Sequence, residues 1–220
     1  MLYSRLFSLI CFGLCFHACK AEEDKADDVI AEETDLIDLT ITEGSEVYDY
    51  NDDVATIGID SLESRFLLRF PSFLNLYEED VIISSIANLE IEIYAEDIAI
   101  NPANIRLKFL AQEWTPFANW YSRFSLADGY DWLAAGGDFL DLDDATPDIE
   151  ASQGNVKKLS FNVTDQTLTT IETGTVIHGF ALVIEESSLN NQQVLTTYTS
   201  NSNFKPRAIL TFNKREILNQ

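Results

Sequence analysis

From residue 36 onward, apolar and polar residues alternate with period two. Leu89-Glu90-Ile91-Glu92-Ile93 and Ile105-Arg106-Leu107-Lys108-Phe109 each put apolar side chains on one face and charges on the other. Half-solvated strands of this kind belong to antiparallel sheets. Further strand-like runs are LIDLTI (36–41), SEVYDY (45–50), VATIGI (54–59), SRFLLRF (64–70), KLSFNV (158–163), IHGFALVI (177–184), VLTTYTS (194–200) and RAILTF (207–212). Helical spacing is scarce. Its best case is Thr164 as an N-cap, Asp165 in the first turn, and Leu168 and Ile171 on one face, which predicts a short helix near 164–172. Many short strands with turns between them predict an all-β fold, an antiparallel β-sandwich of jelly-roll-like form over residues 36–214, with a C-terminal tail at 215–220. The alternation breaks between about 112 and 156, where aromatics, glycine and aspartate gather. A stretch of that length inside one domain is functional or structurally special.

The N-terminus follows a different pattern. Arg5 precedes an apolar stretch from Leu6 to Phe16, too short to cross a hydrocarbon core about 30 Å thick. Phe16-His17-Ala18-Cys19 resembles a bacterial lipobox, so residues 1–18 read as a lipoprotein signal peptide and Cys19 as the lipidated residue. Residues 19–35 then turn abruptly charged and lack aromatics, which predicts an acidic disordered tether. The expected location is the bacterial outer membrane or cell surface, with the chain anchored at one end and spanning nothing. Whether the acidic run also directs surface exposure or is only a spacer stays open.

Charge and cysteine usage narrow the chemistry. The formal net charge of −23 disfavours nucleic acid as a partner. Cys11 and Cys15 lie in the signal peptide and Cys19 takes lipid, so the domain is expected to have neither disulfide nor thiolate chemistry. His178 is the sole histidine after processing, which argues against mechanisms built on paired imidazoles.

Several residues have side chains suited to a site. Trp114, Trp120, Tyr121, Tyr130 and Trp132 fall close together, and sugar rings dock on aromatic faces. Trp114 and Trp120 read better as core, whereas Tyr121, Tyr130 and Trp132 are candidate ligand platforms. Arg65 and Arg69 lie four apart on a strand, pointing to one side, where they could grip a carboxylate or pair with internal acids. Asp138, Asp141, Asp143 and Asp144, with Asp148 beyond them, offer hard oxygen ligands to calcium, although their spacing does not match an EF-hand loop. Gly136-Gly137-Asp138-Phe139 reads as a tight turn.

The order of motifs over residues 39–212 resembles the DNRLRE domain, an extracellular β-sandwich family with carbohydrate-binding-module members. The resemblance rests on SRFLLRF (64–70), ISSIANLEIEIY (83–94), EWTPFANWYSR (113–123), WLAAGGDF (132–139), FNVTDQTLTTI (161–171), HGFALVI (178–184) and FKPRAILTF (204–212). It implies a jelly-roll-like fold, a surface location and no intrinsic catalysis. The leading expectation is a lipid-anchored binding module for a polysaccharide, not an enzyme and needing no cofactor, with calcium as the one candidate ion. The alternative is a structural or adhesive lipoprotein that binds an envelope protein. A glycoside hydrolase would need two carboxylates about 5 to 9.5 Å apart, and among 37 acidic residues none stands out.

Overall fold

A computed structural model describes residues 29–33, 36–46, 53–59, 62–71, 86–96, 101–124, 130–185 and 192–212. Within them the strands are β1 (Val29–Glu33), β2 (Ile37–Thr42), β3 (Val54–Ile59), β4 (Glu63–Arg69), β5 (Ile86–Glu96), β6 (Ile105–Phe109), β7 (Asp148–Ala151), β8 (Val156–Asn162), β9 (Phe180–Ile184), β10 (Gln192–Leu195) and β11 (Arg207–Phe212). Among the described residues a full α-helix, α1, spans Thr164–Thr173. Every strand pairing is antiparallel.

One layer runs β1-β11-β5-β8-β7 and the other β2-β4-β9-β6. Two short strands join them. β10 pairs with the last residues of β5 and with β3, and β3 pairs with the start of β4. The two faces of the sandwich are thus one sheet curled through β10 and β3. The main core lies between them, with Leu89, Ile91 and Ile93 of β5 meeting Phe66 and Leu68 of β4 and Phe180 and Leu182 of β9.

The non-alternating runs Phe66-Leu67-Leu68 and Phe180-Ala181-Leu182-Val183-Ile184 have a clear cause. Their even-numbered residues face the main core, while Leu67, Ala181 and Val183 face outward into a second apolar cluster. That cluster also holds Leu39 and Ile41 of β2, and is roofed by Leu110, Trp114, Ala118, Trp120 and Trp132. A strand buried on both faces has no polar side to alternate with. The segment after β6 supplies this third layer, and its far end returns along β6 through the isolated bridges Leu110↔Phe139 and Leu107↔Ala145, covering an otherwise open edge.

The structure departs from the sequence pattern at five places. Residues 29–33, expected at the end of the tether, pair with β11 from Val29↔Phe212 to Glu33↔Ala208, because ladder bonds come from the backbone and tolerate polar composition. β9 begins at Phe180 rather than Ile177, since Leu110 draws the preceding segment aside: His178 N–H donates to Leu110 O and Leu110 N–H to Gly179 O, each at 2.9 Å. A Cβ at Gly179 would come within 2.6 Å of the Leu68 carbonyl and 2.8 Å of Trp114 Nε1, so only glycine fits. β10 ends at Leu195, where Thr196–Thr199 turn and Asp38 accepts from Thr197 N and Oγ1. Thr164 opens α1 as its first residue instead of capping it, and its hydroxyl accepts from Leu89 N–H at 2.8 Å. The helix buries Thr167 and Thr170, whose hydroxyls bond back to the carbonyls of Val163 and Thr167, while Ile171 packs on the main core. The run 45–50 is not strand at Ser45 and Glu46, and its remainder lies outside the described residues.

Candidate functional site: the aromatic insertion over the second sheet

The segment from Leu110 to Ala145 has little regular structure, so its backbone groups find partners locally. Asn119 does much of this. Its Oδ1 accepts from the N–H groups of Tyr121 and Ser122 at 2.9 Å, and its Nδ2 donates to Glu46 O at 3.0 Å. Its own carbonyl accepts from Trp132 Nε1 at 2.9 Å. Side-chain amides that mimic a turn in this way order a loop without a ladder. A short ribbon then pairs Ser122 with Asp131, with Trp132 N–H donating to Tyr121 O and Arg123 N–H to Tyr130 O.

This arrangement separates the aromatic candidates. Trp114 and Trp120 are core, as expected. Trp132 is core as well, only 5% exposed, because it spans the gap between ribbon and sheet and spends its indole N–H on Asn119. It is therefore no platform. Tyr121 and Tyr130 stand on the same ribbon 42% and 51% exposed. Tyr130 packs against Phe124, ring centroids 5.0 Å apart, and Arg123 lies over its ring at 5.5 Å. Two aromatic surfaces on a hydrogen-bonded ribbon meet the geometric requirement for stacking on a ligand.

Arg65 and Arg69 do point to one side of β4, but toward the insertion rather than to solvent. Arg65 donates to Glu63 and to the carbonyl of Gly136, both at 2.6 Å, and lies over the rings of Trp120 and Phe139. It is committed to structure and is withdrawn as a ligand-gripping group. Arg69 donates through Nη1 to Trp114 O at 2.6 Å, and the Glu113 carboxylate stands 3.9 Å away. Burial pulls its guanidinium below its usual range, with Glu113 opposing.

The aspartates do not gather around a common point. Asp138 is buried and accepts from the N–H groups of Leu133 and Ala134 at 2.8 and 2.6 Å, which closes the turn ahead of Gly136 and Gly137. Asp144 pairs with Lys108 at 2.8 Å. Asp141 and Asp143 are exposed, as is Asp148 at the start of β7. Among the described residues no three carboxylate, imidazole or thiol groups converge as a metal site would need, which counts against the calcium expectation.

Sequence reasoning missed two groups here. Asn119 was hidden between two apolar neighbours, and an asparagine followed by aromatics in a strandless stretch is the signal that could have found it. Arg123, stacked on Tyr130, was not considered. His178 is half-buried, and its imidazole is held below its usual pKa first by burial, with Glu113 opposing and Arg123 and Arg69 adding to the depression.

No protein-family model matches the chain, and no curated protein matches it in sequence. Cys19 lies outside the described residues, and no helix among those described is long and apolar enough to cross a membrane.

Proposed function

We propose that the protein is a lipid-anchored module of the bacterial outer membrane or cell surface that binds a polysaccharide and performs no catalysis of its own. The observation that supports this best is the tyrosine pair. Tyr121 and Tyr130 are half-exposed on a ribbon whose backbone is tied down by Asn119, so their rings are presented with little conformational freedom left to lose on binding. The motif order resembling the DNRLRE family and the lipobox-like Cys19 point the same way. A glycan array probed with calcium and again with chelator tests the reading: saturable binding to some glycan is expected, and blank arrays in both conditions would overturn it. Replacing Cys19 with Ser should release the protein from membranes.

A second reading, a lipoprotein docked on another envelope protein, draws support from Leu133, which is 86% exposed on the turn beside the ribbon, and from half-exposed Phe117. An apolar side chain this exposed gains free energy when a partner protein covers it. Cross-linking in intact cells should then capture one dominant partner, lost on Leu133→Asp.

A further inference from the structure

Arg69 and Arg123 come from separate parts of the chain, yet both bond the backbone of neighbouring residues, Trp114 and Glu113. Arg69 Nη1 donates to Trp114 O and Arg123 Nη1 to Glu113 O at 3.4 Å, so two consecutive carbonyls hold the guanidiniums, and Thr115 N–H donates to the backbone carbonyl of Arg123 at 2.9 Å. In a chain of net charge −23 two guanidiniums thus gather at residues 113 and 114, with the Glu113 carboxylate beside Arg69.

The donors there are also short of acceptors. Nε of Arg69, Nε of Arg123 and Nε1 of Trp114 are buried and donate to nothing among the described residues. A buried N–H left without an acceptor costs about 1–3 kcal/mol, and native proteins rarely leave several such groups together unless a water or ligand serves them. The one carboxylate at hand does not do so. Glu113 Oε1 is 3.9 Å from Arg69 Nη1, beyond hydrogen-bond distance, and its side chain is 61% exposed.

We infer that Arg69 and Arg123 form an oxyanion-binding site, taking a sulfate, phosphate or carboxylate group, with Glu113 as a loosely held internal occupant that the ligand displaces. Guanidinium groups suit this chemistry because their paired N–H groups match two oxygens of one anion. Trp114, fully buried behind Arg69 with its ring 5.6 Å from the guanidinium carbon, closes the back of the site and keeps water from screening it. The inference goes beyond the polysaccharide reading and stands without it, since a free anion is enough to fill the site.

The test uses the whole chain, titrated separately with sulfate, phosphate and acetate at constant ionic strength, reading the thermal midpoint and the heat of binding. At least one ion should stabilise the protein saturably. Removing the competing charge with Glu113→Gln should tighten binding about threefold, and Arg123→Gln should weaken it about tenfold. The ion that binds tightest names the source: acetate indicates a carboxylate, sulfate or phosphate an ester. No saturable stabilisation by any of the three overturns the site. Should Arg123→Gln fail to fold, Glu113→Gln decides alone, because its side chain is exposed; affinity unchanged or weakened in that variant overturns the inference.

Discussion

The guanidinium carbon of Arg65 lies 4.7 Å from the centre of the Trp120 ring, while its Nη1 donates to the carbonyl of Gly136. Strand β4 is thereby fastened to the far side of the aromatic insertion. Gly136 has φ +86°, and a Cβ there would stand 2.7 Å from Arg65 Nη1 and 2.8 Å from the Trp120 ring. Gly136→Ala should therefore cost about 2 kcal/mol or more, combining backbone strain with displacement of Arg65. Chemical denaturation checks this, and a change within 0.5 kcal/mol, roughly that of an ordinary surface substitution, would show that the contact is slack.

The tyrosines and the tryptophan of the ribbon should respond oppositely to truncation. Trp132→Ala removes a buried ring and should lower stability by about 3–5 kcal/mol. Tyr130→Ala and Tyr121→Ala should leave the thermal midpoint nearly unchanged and weaken glycan binding by about 1–2 kcal/mol each. Loss of binding in Trp132→Ala without loss of stability would instead restore Trp132 as a platform.

Asp138 is expected to act as a turn cap and not as a calcium ligand. Asp138→Ala leaves the N–H groups of Leu133 and Ala134 without their acceptor, at a cost of about 2 kcal/mol. Adding calcium or chelator should leave the midpoint of the unmodified protein where it is. A calcium-dependent rise abolished by Asp138→Ala would contradict this.

Glu92 should govern part of the acid sensitivity. Burial pushes its carboxyl up, but the bonds and charges of Arg207 and Lys158 outweigh burial and hold it below the ordinary carboxylate value of 4.5. The unfolded chain thus takes up its proton first as the solution is acidified. The stability Glu92 contributes is fully present above pH 4.5 and is lost as pH falls through the lower folded value. Glu92→Gln should lower stability at pH 7 by about 2–3 kcal/mol, since Arg207 and Lys158 lose their charged partner, and should flatten the stability profile below pH 4.5. An unaltered acid slope would assign it to other carboxylates.

The sheet was largely legible in the sequence because alternation records which face is wet. VATIGI and RAILTF form strands with the expected boundaries. The run at 180–184 was legible as apolar, but its lack of alternation implied a second covering layer, and only the fold identifies that layer as the insertion after β6. Glu92 inverts the rule. It belongs to the expected polar face of β5 yet is 5% exposed, because Arg207 and Tyr94 close over it with Lys158 alongside. The role of Arg65 was out of reach for a different reason: its acceptor, Gly136, lies on a loop 71 positions away, and no local spacing encodes such a pairing. Tyr121, Tyr130 and Trp132 looked equivalent in sequence: Tyr130 and Trp132 even share strand parity, and the bond from Trp132 Nε1 to Asn119 O, which accompanies the inward turn of that ring, has no local signal.

β1 and β11 lie side by side, with Val29 opposite Phe212. A ribosome makes β1 before every other described strand and β11 after all of them. β1 therefore has no partner until the rest of the described sheet has been synthesised, so the edge it completes is among the last parts of the sheet to form. Until then β11's place beside β5 is also empty, leaving the central strand open along most of one side. A nascent chain in that state exposes strand edges that pair indiscriminately, and a chaperone that holds it extended until release would protect those edges.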